Sequence, residues 1–83
     1  MANLRSKFGL RLKTIRLRLA MTQEQFSELI GISVDFLSLI ERGVNAPSFE
    51  KLEQLSEKLK MPVAALFTFE ESTSAGGRKR GRR

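Results

Sequence analysis

Residues 22–43 read TQEQFSELIGISVDFLSLIERG and carry the signals for two short helices joined by a tight turn. Thr22 and Gln25 have the spacing of a capping box, which opens the first of these helices. Gly31 ends that helix, and Ser33 caps a second helix over residues 34–42. Because a connection this short does not allow the two helices to pack in parallel, we expect them to cross steeply in a helix-turn-helix.

Three further helical patterns flank this segment. The first covers residues 4–19, and its apolar stripe consists of Phe8, Leu12, Ile15 and Leu19. Ser48 caps a later helix, whose apolar stripe consists of Phe49, Leu52, Leu55 and Leu59. Pro62 suits the first turn of a final helix, in which Val63, Leu66 and Phe67 close the core. The sequence therefore predicts an all-α, compact five-helix bundle over residues 4–69.

The composition excludes several classes of protein. The 83 residues include no cysteine and no histidine, which removes disulfides, thiolate chemistry and the usual zinc sites. With a single aspartate and no Gly-rich phosphate loop, no catalytic set can be assembled, so we expect neither an enzyme nor a bound cofactor or metal. No apolar run approaches the roughly 20 residues of a membrane span, and we expect a cytoplasmic protein.

The charge is distributed unevenly along the chain. Residues 1–21 carry six basic side chains and no acid, whereas residues 22–77 carry four basic and nine acidic ones. The last six residues add five cations, Arg78, Lys79, Arg80, Arg82 and Arg83. Residues 70–83 are polar, Gly-rich and then basic, which predicts a disordered basic tail. This pattern indicates a polyanionic partner, and a merely solubilising surface is the alternative.

The sequence closely resembles the phage-repressor (Cro/repressor-like) helix-turn-helix family. The matching positions include Thr22-Gln23, Phe26-Ser27, Gly31-Ile32-Ser33, Phe36-Leu37-Ser38, Ile40-Glu41-Arg42-Gly43 and Pro47-Ser48. The resemblance implies a lambda-repressor-like fold and a nucleoid-associated transcriptional regulator that binds double-stranded DNA. In this family the second helix of the motif enters the major groove.

The resemblance also implies roles for individual residues. Arg16 and Glu41 match a structural ion pair that ties the first helix to the end of the recognition helix. Phosphate contacts are expected from Thr22, Gln23, Arg42 and Asn45, with Arg11 either adding another or staying solvated. The positions that face the bases are Ser33, Val34, Asp35, Ser38 and Leu39.

The base-facing positions depart from the usual pattern of DNA readers. They include no Arg or Lys for guanine and no Asn or Gln for adenine. Val34 and Leu39 can pack on thymine methyl groups, and Asp35 can accept from cytosine N4. For Leu39 and Phe36, a place in the core is the alternative. An apolar recognition helix also leaves open a protein-interaction module of the same fold, for example an antitoxin. RNA binding through the tail is a further alternative.

Two expectations concern the C-terminal part of the chain. Family members pair two domains across an inverted repeat, so we expect a homodimer, with its contact at Val63, Phe67 and Phe69 unless Phe67 is simply core. In the tail, Arg80-Gly81-Arg82 is similar to the core of an AT-hook, but Arg83 replaces the proline that normally follows. A nonspecific polybasic arm that binds by counterion release is therefore preferred over a true minor-groove hook.

Overall fold

The computed structural model describes residues 3–69, and within this range every regular element is a helix. The helices are α1 (Leu4–Arg18), α2 (Gln23–Ile30), α3 (Val34–Glu41), α4 (Phe49–Leu59) and α5 (Val63–Leu66). The predicted all-α, five-helix fold is confirmed for this part of the chain. The predicted basic tail, residues 70–83, lies outside the described residues.

The starts of the helices follow from short polar side chains. The side-chain oxygens of Asn3, Thr22, Ser33 and Ser48 each accept a hydrogen bond from the backbone N–H three residues later, at 2.9–3.1 Å. These bonds satisfy N–H groups that have no acceptor within the helix. The three caps predicted from Thr22, Ser33 and Ser48 are confirmed, and Asn3 adds one that the sequence reading missed.

The core lies between the inner faces of all five helices. Leu12, Phe26, Leu37, Ile40 and Leu66 are fully buried. They are joined by Phe8, Ile15, Ile30, Leu52 and Leu55. Most of the predicted apolar stripes therefore do face inward. Ile32, Phe36, Leu59 and Phe67 pack against this core while remaining partly accessible.

Two residues assigned to apolar stripes lie on the surface instead. Leu19 is 47% exposed because α1 ends at Arg18 and the chain then turns through Ala20, which has φ = 59°. Phe49 is 84% exposed although it is the first residue of α4. Helical side chains tilt toward the N-terminus, so a ring at the first position projects past the end of the helix instead of onto the core.

A close approach between α1 and α3 fixes the position of the helix-turn-helix on the rest of the domain. Gly9 of α1 lies against the backbone carbonyls of Ile40 and Glu41, and a Cβ at Gly9 would overlap the Ile40 oxygen. Just after α3, Gly43 has φ = 78° and lies against Ser6. Because no side chain separates these backbones, α3 has little freedom to shift along α1.

Candidate nucleic-acid interface

The N-terminus of α2 begins one edge of the candidate interface. Thr22 Oγ1 accepts from the Gln25 N–H at 3.1 Å, and Gln25 Oε1 accepts from the Thr22 N–H at 2.9 Å, so the predicted capping box is complete. The first turn of a helix combines partly positive N–H groups with the positive end of the helix dipole. This end of α2 therefore suits an anion such as a phosphate.

The turn between α2 and α3 is held from outside by α4. Gly31 adopts φ = 79° and ψ = 31°, a left-handed conformation that glycine tolerates without strain. Gln54 Nε2 donates to the carbonyl oxygens of Ile30, at 2.6 Å, and Gly31, at 3.3 Å. These bonds satisfy carbonyls at the end of α2 and fix the geometry of the turn. The sequence did not predict this role of Gln54. The only local hint of it is that an amide side chain lies on the flank of an amphipathic helix.

The two sides of α3 have opposite properties. Leu37, Ile40 and Glu41 are buried, whereas Asp35 is exposed and Leu39 is half-buried. At 3.6 residues per turn, positions 35, 39 and 42 stack on the side opposite the buried face. Helix α3 thus anchors one face in the domain and leaves the other accessible.

The other predicted base-facing residues lie on the flanks of the accessible face. Val34 and Ser38 are half-buried, and Ser33 is exposed at the start of α3. Ser33 Oγ accepts from the Phe36 N–H at 3.0 Å, so this hydroxyl acts as a cap and keeps its own proton for donation. Phe36 packs against the core, in line with one of the two alternatives for that residue.

A buried polar cluster ties α1, α2 and α3 together. Arg16 and Glu41 form the predicted ion pair: Nε lies 2.8 Å from Oε2, and Nη2 lies 3.2 Å from Oε1. Arg16 Nη1 also donates to the Met21 carbonyl at 2.9 Å. Gln23, predicted as a phosphate contact with a solvated side chain as the alternative, donates from Nε2 to Glu41 Oε1 at 3.0 Å. Its amide has a second N–H, so the bond to Glu41 orients Gln23 without using up its donors.

Exposed polar groups follow the C-terminus of α3. Arg42 and Asn45 are both exposed, as is Thr22 at the start of α2. The backbone N–H groups of Val44 and Asn45 both donate to the Leu39 carbonyl, at 2.9 and 3.3 Å. The chain is therefore held close to the end of α3 at the point where Arg42 and Asn45 emerge.

The Arg11 side chain bonds to the backbone of another helix. It is half-buried, and its Nε and Nη2 donate to the Ala65 carbonyl at 3.1 and 2.9 Å. This bond joins α1 to α5. Neither of the two alternatives predicted for Arg11, a phosphate contact or a solvated side chain, anticipated it. Arginine commonly binds carbonyls near helix C-termini, and α5 ends at Leu66. Sequence spacing gave no sign that α5 would pack here.

The fifth helix displays less apolar surface than expected. The Phe67 ring is half-buried, with its centroid 5.0 Å from that of Phe8, and Phe69 packs edge-on against Phe67 at 6.2 Å. Val63, expected to help close the core, is instead 39% exposed at the first residue of α5. Phe67 thus contributes to the packing of the domain, and Val63 is the more accessible member of the predicted dimer contact.

Residues 3–69 lack the features of two other kinds of site. This part of the chain contains no group of three or more acidic, histidine or cysteine side chains arranged to hold a metal ion. Its helices are all too short or too polar to cross a membrane.

Comparison with known proteins finds a matching family and several similar proteins. The Helix-turn-helix family model matches residues 12–66. Relatives named as uncharacterized HTH-type transcriptional regulators occur in Sinorhizobium medicae (strain WSM419) and Rhizobium meliloti (strain 1021). Each is 33% identical over 69 residues, which cover 83% of this chain and 48% of the relative. The chain thus spans about half the length of the curated relatives it matches.

Two solved structures share the fold. The restriction-modification controller protein C.AhdI from Aeromonas hydrophila is 28% identical with a TM-score of 0.68, covering 74% of this chain and 92% of that one. The clp gene regulator ClgR from C. glutamicum is 29% identical with a TM-score of 0.69, covering 80% of this chain and 86% of that one. Since the family model covers well over half of the sequence, the chain belongs to the Cro/C1-type helix-turn-helix family.

Proposed function

We propose that the chain is a DNA-binding transcriptional regulator that inserts α3 into the major groove. The observation that carries this proposal is the division of α3 into a buried face and an accessible face. A helix of this kind fits the roughly 12 Å width of the major groove while its other side stays anchored in the domain. The names of the relatives and of both solved regulators agree with this role.

The accessible face of α3 would read the bases mainly through shape and apolar contact. The Asp35 carboxylate can only accept hydrogen bonds when ionised, which suits the amino group at cytosine N4. Leu39 and Val34 offer methyl groups to thymine, and Ser33 and Ser38 offer hydroxyls. The absence of Arg, Lys, Asn and Gln from these positions gives more weight to phosphate contacts and DNA shape.

Phosphate contacts would come from the start of α2 and from the segment just after α3, which lie close together because Gln23 bonds to Glu41. Thr22 and Gln23 stand at the N-terminus of α2, where an anion is favoured by the helix dipole. Arg42 and Asn45 are exposed just beyond the C-terminus of α3. Contacts of this kind set the register of the domain on the duplex but carry no sequence information of their own.

We infer further that two copies bind an inverted repeat, with half-sites about 34–36 Å apart. The proposed contact between copies includes Val63, Phe67 and Phe69 of the fifth-helix region. The basic side chains of residues 78–83 would add contacts to DNA phosphates, with affinity gained through counterion release. A more specific alternative is that residues 80–82 enter the minor groove as a hook.

One observation favours a second candidate function. Leu39 and Val34 give the accessible face of α3 an apolar character, which also suits contact with another protein. In that case the chain would be a partner-binding module of the same fold, for instance an antitoxin.

Selection of bound duplexes from a random pool, followed by sequencing, separates these functions. The proposed function predicts enrichment of an inverted repeat. We expect Asp35→Ala to change the preferred bases, whereas the matched removal of an exposed carboxylate from α4, Glu53→Ala, should leave them unchanged. Failure to retain any duplex would overturn the proposal and favour the protein-binding module.

A further inference from the structure

An apolar groove opens between the start of α1, the connection from α3 to α4, and Phe67. It has a volume of about 460 Å³, and its walls include Leu4, Phe8, Pro47, Leu52 and Phe67. Phe8 and Leu52 are buried members of the core, so the groove reaches the hydrophobic interior of the domain. Its volume lies within the range of about 300–1,000 Å³ that is typical of small-molecule sites.

Two polar side chains at the start of α1 also line the groove. Arg5 is exposed, and its Nη1 donates to the Val44 carbonyl at 3.4 Å, a long bond that leaves the other guanidinium N–H groups available. The Asn3 side-chain oxygen accepts from the Ser6 N–H, so the amide nitrogen of Asn3 keeps two N–H groups to donate. The groove thus combines apolar walls with hydrogen-bond donors beside the start of α1.

The positive charge of Arg5 has no carboxylate partner among residues 3–69. Helix α1 contains no Asp or Glu, and none of the side chains that line the groove is acidic. No carboxylate of this part of the chain lies within ion-pair distance of the Arg5 guanidinium. Guanidinium groups bind carboxylates through paired N–H donors, so a ligand that brings its own carboxylate would complement this cation.

These features favour one class of occupant. A purely apolar molecule would gain nothing from the Arg5 donors, and a highly charged one would lose its hydration against Phe8 and Leu52. We propose that the groove binds a small amphiphilic carboxylate, with its apolar body against Phe8, Leu52 and Phe67 and its carboxylate on Arg5. The site goes beyond the proposed function, because none of its residues is assigned to a DNA contact.

Titration of the isotope-labelled full chain with decanoate, followed by NMR, tests this site. Decanoate has an apolar body that ends in one carboxylate, and a ligand of this size should bind with a dissociation constant of about 0.1–2 mM. The largest amide shifts should fall at Arg5, Phe8 and Leu52. Two matched probes separate charge from body. Decanamide, which lacks the charge, should bind about fivefold more weakly, and acetate, which lacks the body, should bind at least about 10-fold more weakly.

A substitution at Arg5 tests the role of the charge. Arg5→Gln should raise the dissociation constant for decanoate about fivefold and leave that for decanamide unchanged, because an amide gains little from a cation. The matched control is Lys13→Gln, since Lys13 is an exposed cation of the same helix that does not line the groove. This control should change the dissociation constant for decanoate by less than about twofold.

Filling the groove tests its apolar part. Ala46 is exposed and lines the groove, so Ala46→Phe adds a ring there without altering a buried position. It should raise the dissociation constants for decanoate and decanamide alike, each at least about 10-fold. Ala64→Phe adds the same ring at an exposed position of α5 outside the groove and should leave both unchanged. Urea denaturation checks that each variant folds.

The results that would overturn the site are distinct from those that concern DNA. Amide shifts spread over the whole surface, or equal affinities of the wild type, Arg5→Gln and Ala46→Phe for decanoate, would show that the groove is not the binding site. An apparent dissociation constant that rises with protein concentration would show that a second copy covers the groove instead. Retention of duplexes is measured without decanoate, so the proposed function stands or fails separately from this site.

Discussion

The guanidinium of Arg16 engages both carboxylate oxygens of Glu41, and both side chains are buried. One residue belongs to the middle of α1 and the other is the last residue of α3. Planar bidentate pairs of this kind fix orientation as well as distance. The proposed reading helix is therefore held at a defined angle on the domain by charge, in addition to the apolar contacts of Leu37 and Ile40.

Breaking this pair from one side should be costly. Arg16→Met leaves the Glu41 carboxylate buried with only the Gln23 amide as a partner, so the free energy of unfolding should fall by about 3–5 kcal/mol. Urea denaturation measures this loss. Lys13→Met, at an exposed position of the same helix, should change it by no more than about 0.5 kcal/mol.

The double variant Arg16→Met/Glu41→Met provides the stricter test. Because it removes both buried charges, it should cost clearly less than the sum of the two single substitutions. Strictly additive costs would mean that the two side chains contribute independently and that the pair has no special role.

Arg11 and Arg42 should respond differently to salt. Arg42→Ala removes a proposed phosphate contact, so the slope of log K against log[salt] should decrease in magnitude by about 0.9. Arg11→Ala removes the two bonds to the Ala65 carbonyl, so it should lower the free energy of unfolding by about 1.5–3 kcal/mol and leave the slope unchanged. DNA-binding titrations of both variants at several salt concentrations measure these slopes. A reduced slope for Arg11→Ala with unaltered stability would restore its predicted role as a phosphate contact.

The end of α4 offers a stabilising substitution. Lys60 has φ = 56° and ψ = 44°, a left-handed conformation that costs a residue with a Cβ about 1–2 kcal/mol. Lys60→Gly should therefore raise the free energy of unfolding by about 1 kcal/mol. Lys58→Gly removes the same charge two residues earlier, inside the helix, and should lower it by about 1 kcal/mol. Changes of the same sign in the two variants would refute the assigned backbone conformation.

The sequence was most informative where the physics is local. The caps at Thr22 and Ser33 and the end of α2 at Gly31 depend on a few adjacent residues, and all three were predicted. The inward positions of Phe8, Leu12 and Ile15 in α1 follow from helical periodicity in the same way. The Arg16–Glu41 pair, which joins distant positions, came from the family resemblance.

Predictions failed where distant segments meet or where helices end. Helical periodicity placed Leu19 and Phe49 in the core because it assumed that each helix extends through that residue and packs against the core there. In the structure α1 ends at Arg18, and Phe49 in the first turn of α4 is exposed. The bond from Arg11 to Ala65 spans 54 positions, and that from Gln54 to Ile30 spans 24. No local pattern predicts contacts of this kind, since they depend on how the helices pack.

The basic tail should contribute affinity through charge alone. Deleting residues 78–83 removes five cations, which should reduce the magnitude of the salt slope by up to about 4.5. Replacing the same residues by uncharged Gly and Ser should have an equal effect if charge is the cause. A loss that is larger on sites flanked by A·T tracts would support the hook formed by residues 80–82. Unchanged affinity and slope would make the tail a solubilising appendage only.

The most direct test of the account is a groove-specific crosslink to α3. The chain contains no cysteine, so Ser38→Cys introduces a single thiol beside the accessible face of this helix. Duplexes of the selected sequence would carry a tether that ends in a mixed disulfide, either on cytosine N4, in the major groove, or on guanine N2, in the minor groove, so that the cysteine thiolate displaces the outer thiol. We predict rapid disulfide formation with the major-groove tether only, and none with either tether for Leu17→Cys on α1. Equal crosslinking from both grooves, or faster crosslinking through position 17, would contradict the placement of α3 in the major groove.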